Sequence, residues 1–429
     1  MRILIYSYNY HPELIGIAPL MTDLAEGLVK RGHQVRVVTA MPWYPASKIP
    51  KEYQGKLYVN EERNGVKIKR CYIWVSKKRN LIHRVLFELS FVILSFFQAL
   101  FGPKPEIILL TVPGLSVAVP AAILGWLYRC PIVLNLQDIL PDAAVHVGLL
   151  TNKKVIRVFQ FLEKFAYNSA TKISVIAEGF TKNLLEKGVN GDKIVEISNW
   201  VNVNFIRPLP QENNYFRLEH QLEGKFVVLY AGNIALTQGL QTLIKAAKHL
   251  LDIKEIAIVI VGEKQAVGKL KEQCEKYGST NVTLVQFQPR EKLPEMLAAA
   301  DVGLILQKRN VVGFNMPSKI QVWLASGRPI IASVPLTGTA AQVIQKSGGG
   351  LVVPPEKSKN LADAIKELYL NPDQREQLAK QGRNYAQLNY DFDSALDKYE
   401  QLFNQVTNCD TKGEPLALKM TKKENIELK

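Results

Sequence analysis

Residues 1–40 read MRILIYSYNYHPELIGIAPLMTDLAEGLVKRGHQVRVVTA, and their patterning decides the fold. Arg2 to Tyr8 is a short apolar run of strand type. From Ala18 to Arg31 the apolar residues Leu20, Leu24 and Leu28 recur at helical spacing. The turn Arg31-Gly32-His33 follows, and Gln34 to Thr39 is again a strand pattern. A strand–helix–strand unit of about 40 residues implies a right-handed parallel crossover.

Further strands are expected at Ile107–Leu110, Ile132–Leu136 and Lys172–Ile176, with helices at Val117–Tyr128 and Val155–Ser169. The alternation then restarts. Strands read at Phe226–Ala231, Ile256–Val261, Val282–Phe287, Val302–Leu306, Pro329–Ser333 and Gly350–Val353, with helices at Leu240–Leu251, Lys292–Ala300, Lys319–Ser326 and Leu361–Leu370. Two such arrays predict an α/β protein of two doubly wound, Rossmann-like domains facing a cleft. The expected division is 1–200 and 201–390, with the boundary near Ser198–Pro210. A helix over 391–408 can cross back to the first domain, and a polar tail, 409–429, ends the chain.

Composition narrows the class. Hydrophobic residues make up 47% of the 429, which excludes a disordered or fibrous chain. Cys71, Cys130, Cys274 and Cys409 lie far apart, so neither a zinc site nor a disulfide framework is expected, and no secretory signal is read at the N-terminus. The net charge is +15, and residues 1–200 hold 25 basic against 15 acidic residues. Arg63, Lys67, Lys69, Arg70, Lys77, Lys78, Arg79 and Arg84 form a run without an acid, suited to a phosphate-rich partner. The stretch Val85–Phe101, VLFELSFVILSFFQALF, follows it with one charge, Glu88. It reads equally as a buried domain helix or as a helix in a membrane interface, and less well as a span, being short of about 20 apolar residues. The expected membrane-facing segment is 63–103, with Lys77, Lys78, Arg79, Arg84, Phe91, Phe96 and Phe97 as contacts.

Three segments carry a family resemblance. Residues 16–39, GIAPLMTDLAEGLVKRGHQVRVVT, look like the N-terminal glycine loop and helix of two-domain GT-B glycosyltransferases. Residues 230–247, YAGNIALTQGLQTLIKAA, resemble the first loop of their donor domain. Residues 313–333, GFNMPSKIQVWLASGRPIIAS, resemble their donor-sugar motif. The similarity covers residues 1 to about 405 and is closest to the colanic-acid and exopolysaccharide type of glycosyltransferase family 4 (group 1). It implies donor binding by Gly16, Gly232, Asn233, Gln238, Gln288, Phe314, Ser318 and Lys319. Where the family carries an Arg and a Lys on the diphosphate, this chain has Asn233 and Gln238. Where many members carry two glutamates, it has Phe314 and Val322. Lys319 stands in the first turn of a helix, where the positive helix end does not favour a cation. An anionic ligand explains it better, and Lys319 is expected to restore part of the missing charge.

Asp138 follows a strand in residues 134–150, LNLQDILPDAAVHVGLL, which resemble the aspartate-and-proline motif of related bacterial sugar transferases. It can orient or deprotonate an acceptor hydroxyl, or serve as a strand-end hydrogen-bonding group. Asp142 reads as a helix-start residue. His11, near Gly16, is a second catalytic candidate. The resemblance implies a retaining, metal-independent hexosyltransferase without a cofactor, the nucleotide-sugar being a substrate. Its expected partners are a nucleotide-sugar donor, a lipid-linked or oligosaccharide acceptor and an anionic membrane surface, not nucleic acid. The expected location is cytoplasmic, peripheral at the inner face of the membrane. A nucleotide-sugar epimerase of the same fold and a non-catalytic sugar-nucleotide-binding partner are the alternatives.

Overall fold

The opening unit folds as its pattern predicts. The computed structural model describes residues 1–409 apart from 14, 15, 45, 77–80, 113, 147, 149, 235 and 312. Strand β1 (Arg2–Tyr6) lies parallel to β2 (Gln34–Ala40), with Arg2 opposite Gln34 and Tyr6 opposite Val38. The helix Ala18–Lys30 crosses between them and buries Met21, Leu24, Ala25 and Leu28. Pro19 in its first turn costs it no hydrogen bond, because the N–H groups there lack intrahelical partners anyway.

Two strands were not legible as such. Tyr58–Arg63 (β3) and Val66–Cys71 (β4) form an antiparallel hairpin across Asn64-Gly65, whose φ angles of 48° and 78° are those of an Asn-Gly hairpin turn. The hairpin takes up the start of the expected basic and apolar membrane-facing segment 63–103. Four of the eight basic residues belong to the hairpin, and Arg70 is 1% exposed, paired with Glu61 at 2.7 Å.

The remaining strands of the first sheet are β5 (Ile107–Val112), β6 (Ile132–Leu136), β7 (Lys172–Val175) and β8 (Ile194–Glu196). The order is β3-β4-β2-β1-β5-β6-β7-β8, parallel except for β3. The second sheet holds β9 (Phe226–Ala231), β10 (Ile256–Gly262), β11 (Val282–Gln286), β12 (Val302–Leu306), β13 (Ile330–Ser333) and β14 (Gly350–Val353). Its order is β11-β10-β9-β12-β13-β14, all parallel. Each sheet reverses direction of winding once, at β1/β5 and at β9/β12. Ligands of such sheets bind outside the carboxyl ends of the strands at that switch point.

The apolar stretch is a helix, Leu81–Leu100, and is long and apolar enough to cross a membrane by length and composition. Its inner face is built into the first lobe. Phe91 is fully buried, with its ring centroid 4.4 Å from that of Tyr8, so its expected membrane contact is corrected. Glu88 accepts from Tyr8 Oη at 2.6 Å and from Ser116. Phe96 packs partly buried against the same core. The outer face exposes Ile82, Leu86, Leu89, Ile93 and Phe97, a stripe at helical spacing. Arg84 is exposed, with its guanidinium 5.1 Å from the Phe159 ring centroid. Lys77, Lys78 and Arg79 lie outside the described residues, as does 410–429.

The chain passes between the lobes twice at one place. Val201 bridges Asp391, and Val201 N–H donates to the Tyr390 carbonyl at 2.9 Å. The helix Phe392–Cys409 then packs on the first lobe, burying Leu396, Tyr399, Leu402, Phe403 and Val406 with Ile3, Met21, Leu24 and Leu28. Phe403→Ala empties a fully buried position in that core. It is expected to lower unfolding free energy by about 3–5 kcal/mol, seen as a lower urea midpoint with an unchanged slope.

Candidate active site

The second lobe builds a loop that a lysine fills. Strand β9 ends at Ala231, and Gly232 follows with φ 135°, a conformation that favours glycine. A Cβ on Gly232 would fall 2.3 Å from Lys319 Cε and 2.8 Å from its Nζ. Lys319 opens the helix Lys319–Ala325 and reaches back to this loop. Its Nζ donates to Tyr230 Oη at 2.6 Å and stands 4.1 Å from the centroid of that ring. Tyr230 Oη in turn donates to the Asn233 carbonyl at 2.8 Å and lies 3.4 Å from Gln238 Oε1. Among the described residues no carboxylate pairs with Lys319. Burial lowers its pKa to about 8. A desolvated cation with only neutral partners carries a charge that an anion would compensate.

The other expected donor residues divide. Asn233, Gln238, Gly232 and Lys319 meet at Tyr230. Ser318 takes the N-cap position, but its side chain makes no cap hydrogen bond. Gln288 Nε2 contacts only the Gln286 carbonyl, at 3.2 Å, among the described residues. Phe314 packs edge-on against Phe180 of the first lobe, with centroids 5.8 Å apart. Val322 packs partly buried in the core of the second lobe. Both positions are thus occupied by packing rather than by polar groups. Gly16 has φ 71°, as a loop glycine between strand and helix. The sequence reading missed Lys308, just past β12. Its N–H donates to the Thr237 carbonyl at 2.8 Å, and its Cγ lies 3.2 Å from where a Cβ on Gly239 would stand. Each glycine of the loop therefore has a lysine chain against it.

On the first lobe, Asp138 follows β6 at its carboxyl end. It is exposed, yet partial loss of solvent pushes its carboxyl up to about 6. No donor among the described residues reaches it. Its neighbour Gln137 exchanges hydrogen bonds with the Asn199 side chain at 2.9 and 2.7 Å. The Asn199 carbonyl accepts from Gln321 Nε2 at 3.1 Å, two residues beyond Lys319. Asp142 starts the helix Asp142–His146 and pairs with Lys187 at 2.9 Å. His11 lies elsewhere on the lobe. Its Nε2 is 3.3 Å from Arg63 Nη1, and burial, Arg63 and Arg70 lower its pKa.

Residues 16–200 match the family model of the glycosyl transferase 4-like domain, and residues 212–385 match that of glycosyl transferases group 1. The putative colanic acid biosynthesis glycosyl transferase WcaI of Escherichia coli is 29% identical over 408 residues, spanning 93% of this chain and 98% of its own. Among solved structures, HepE of Anabaena in complex with UDP superposes with a TM-score of 0.71 at 17% identity, over 94% of this chain and 100% of that one. Sucrose-phosphate synthase of Thermosynechococcus elongatus does so at 0.70 and 17%, over 95% and 99%. These two likenesses are likenesses of fold.

The Gly232 geometry generates a direct test. Gly232→Ala must distort the backbone or expel the Lys319 chain. It is expected to cost about 1–3 kcal/mol of stability, measured by chemical denaturation, whereas Gly268→Ala, with open space around it, should cost none.

Proposed function

The chain belongs to the group 1 glycosyl transferases of the GT-B fold, and on that premise we propose that it moves a sugar, with retention, from a nucleotide-diphosphate donor to a lipid-linked saccharide at the inner face of a membrane. The observation that carries the donor assignment is Lys319, a desolvated cation without a carboxylate, set in a glycine loop at the sheet's switch point. The UDP held by the HepE fold and the name of the Escherichia coli relative support a nucleotide donor and a role in exopolysaccharide or cell-surface glycan synthesis.

The chemistry follows from charge placement. The donor diphosphate lies against Lys319 and the loop amides, with Asn233 and Gln238 as neutral donors. Lys319 stabilises the negative charge that develops as the nucleoside diphosphate leaves. The acceptor oxygen bonds to the anomeric carbon on the face that the diphosphate leaves, and the leaving phosphate takes the acceptor's proton. Asp138 orients the acceptor hydroxyl as a carboxylate, a role that requires it ionised. No step uses a metal or a cofactor.

The exposed stripe of the helix Leu81–Leu100 continues onto its neighbours. Ile123, Trp126 and Leu127 of the helix Ala118–Tyr128 and Phe161 of the helix Lys153–Ser169 are exposed, Trp126 by 74%. Lys153, Lys154, Arg157 and Lys164 lie on the last of these helices. An apolar patch rimmed by cations suits an anionic bilayer.

Three measurements test this reading. First, kcat/KM is expected to be bell-shaped in pH. Asp138 must be ionised, so the rate falls as pH drops through about 6, and Lys319 must be charged, so it falls as pH rises through about 8. Asp138→Asn should remove the acidic limb and lower the rate roughly 10²-fold or more. Second, Lys319→Met should weaken UDP binding by about 1.5–3 kcal/mol in calorimetry, and unchanged affinity would place the diphosphate elsewhere. Third, replacing Trp126 and Phe161 together by Ser should abolish co-sedimentation with anionic vesicles. Retained binding would remove this face from the membrane assignment.

A further inference from the structure

On the first lobe, away from the Lys319 loop, two buried polar atoms lack partners close to one backbone position. Tyr10 is 1% exposed and Arg70 is 1% exposed, and neither Tyr10 Oη nor Arg70 Nη1 has a hydrogen-bond partner among the described residues. Arg70 is otherwise fixed. Its Nε pairs with Glu61, its Nη2 donates to the His11 carbonyl at 2.6 Å, and it stands over the Tyr53 ring at 5.5 Å. The His11 N–H donates to Thr22 Oγ1 at 3.1 Å, so the main chain of His11 is held on both sides.

Arg63 lies beside this position, and 41% of its side chain is exposed. Glu26 engages only its Nε, at 2.7 Å, and the other Glu26 oxygen accepts from Asn64 Nδ2 at 2.7 Å. The outer nitrogens of Arg63 therefore meet only the His11 ring among the described residues. Two guanidiniums and an imidazole converge, one guanidinium buried with a spare donor and one half-open to solvent. Planar guanidinium donors in this arrangement fit the oxygens of a phosphate. His11 lies beyond the carboxyl end of β1, the cleft end of the sheet, and Arg63, opposite Val66 at the amino end of β4, reaches its ring from the flank of the lobe.

We propose that His11, Arg63 and Arg70 form a subsite on the first lobe for a phosphate or diphosphate group of the acceptor. The inference rests on the reading of the chain as a transferase whose first lobe holds the acceptor. Arg63 and the His11 ring touch the anion. Arg70, itself paired with Glu61, fixes the His11 main chain through its Nη2 and is a positioning residue.

The test titrates inorganic pyrophosphate into the full chain carrying Lys319→Met, so that the donor loop lacks its cation. Binding is expected, with a shift of the His11 ring resonances in NMR spectra. Adding Arg63→Gln should weaken it about tenfold. Adding Glu26→Gln, which frees Arg63 of its carboxylate, should strengthen it severalfold, a gain that damage to the fold cannot mimic. No binding, or the same affinity in all three proteins, overturns the subsite. Farnesyl diphosphate binding more tightly than pyrophosphate would place the group on a polyprenyl carrier. Equal affinity would place it on a soluble phosphorylated saccharide, and the subsite stands in both cases. UDP binding to the otherwise unaltered chain is measured separately. Its failure would overturn the donor reading and leave the pyrophosphate result to judge the subsite.

Discussion

The hydrogen bonds around Asn199 tie together the elements that carry Asp138 and Lys319. The Asn199 side chain exchanges hydrogen bonds with Gln137, next to Asp138. Its carbonyl accepts from Gln321, on the helix that Lys319 opens. Gln137 also donates to Asn135 at 2.8 Å, and Asn135 donates to Tyr399 on the helix that returns to the first lobe. Trp200, next in the chain, packs on Phe392 and Tyr399. Amides suit this place because each offers donor and acceptor at once, so a short chain of them is satisfied without charge. A charged residue there would perturb Asp138 and Lys319, whose ionisation the proposed reaction requires.

The Gly232 loop, the proposed donor site, shows how charge can be moved without being lost. In the resembled family the cations sit on the loop itself. Here the loop positions are Asn233 and Gln238, and the cation arrives from the helix Lys319–Ala325. This works only because Gly232 lacks a Cβ, since the lysine chain occupies that space. Tyr230 offers an oxygen and a ring face but no charge, and no carboxylate among the described residues compensates the ammonium. A loop cation beside a paired glutamate would sit closer to neutrality in the unliganded protein. The cost of the arrangement is the lowered lysine pKa.

Local patterning made most of the fold legible, and chemistry at a distance was not. The alternation of Arg2–Thr39 and its counterpart at Phe226–Val261 marks parallel crossovers without any tertiary information. The β3–β4 hairpin was also marked, by Asn64-Gly65, but its lysines and arginines read as a charge run. Only the structure separates Arg70, paired with Glu61 in the interior, from Arg63 at the surface. Phe91 and Phe97 belong to one apolar helix, and its period alone cannot tell which side meets the sheet. Lys319 and Asn233 were legible as site candidates from their motifs. The partnership of Lys319 with Tyr230, and of Lys308 with Gly239, joins residues remote in sequence and leaves no local signal.

The direction of the helix Leu81–Leu100 links the apolar surface to the cleft. Its first half meets the cleft end of the sheet: Phe87 stacks on Tyr8 and packs on Trp43, and Glu88 bonds Tyr8 and Ser116, all beyond the carboxyl ends of their strands. Its last turn ends beside Arg36, whose Nη1 donates to the Phe101 carbonyl at the opposite end of the sheet. The helix therefore runs away from the cleft, with its apolar stripe outward along the whole length. A bilayer lying on that stripe, as proposed, meets the mouth of the cleft at the end of the helix where Tyr8 and the His11 segment stand. On that reading a lipid-borne saccharide reaches Asp138 with its carrier still embedded. The sugar then crosses from one lobe to the other, between elements that the Asn199 hydrogen bonds tie together.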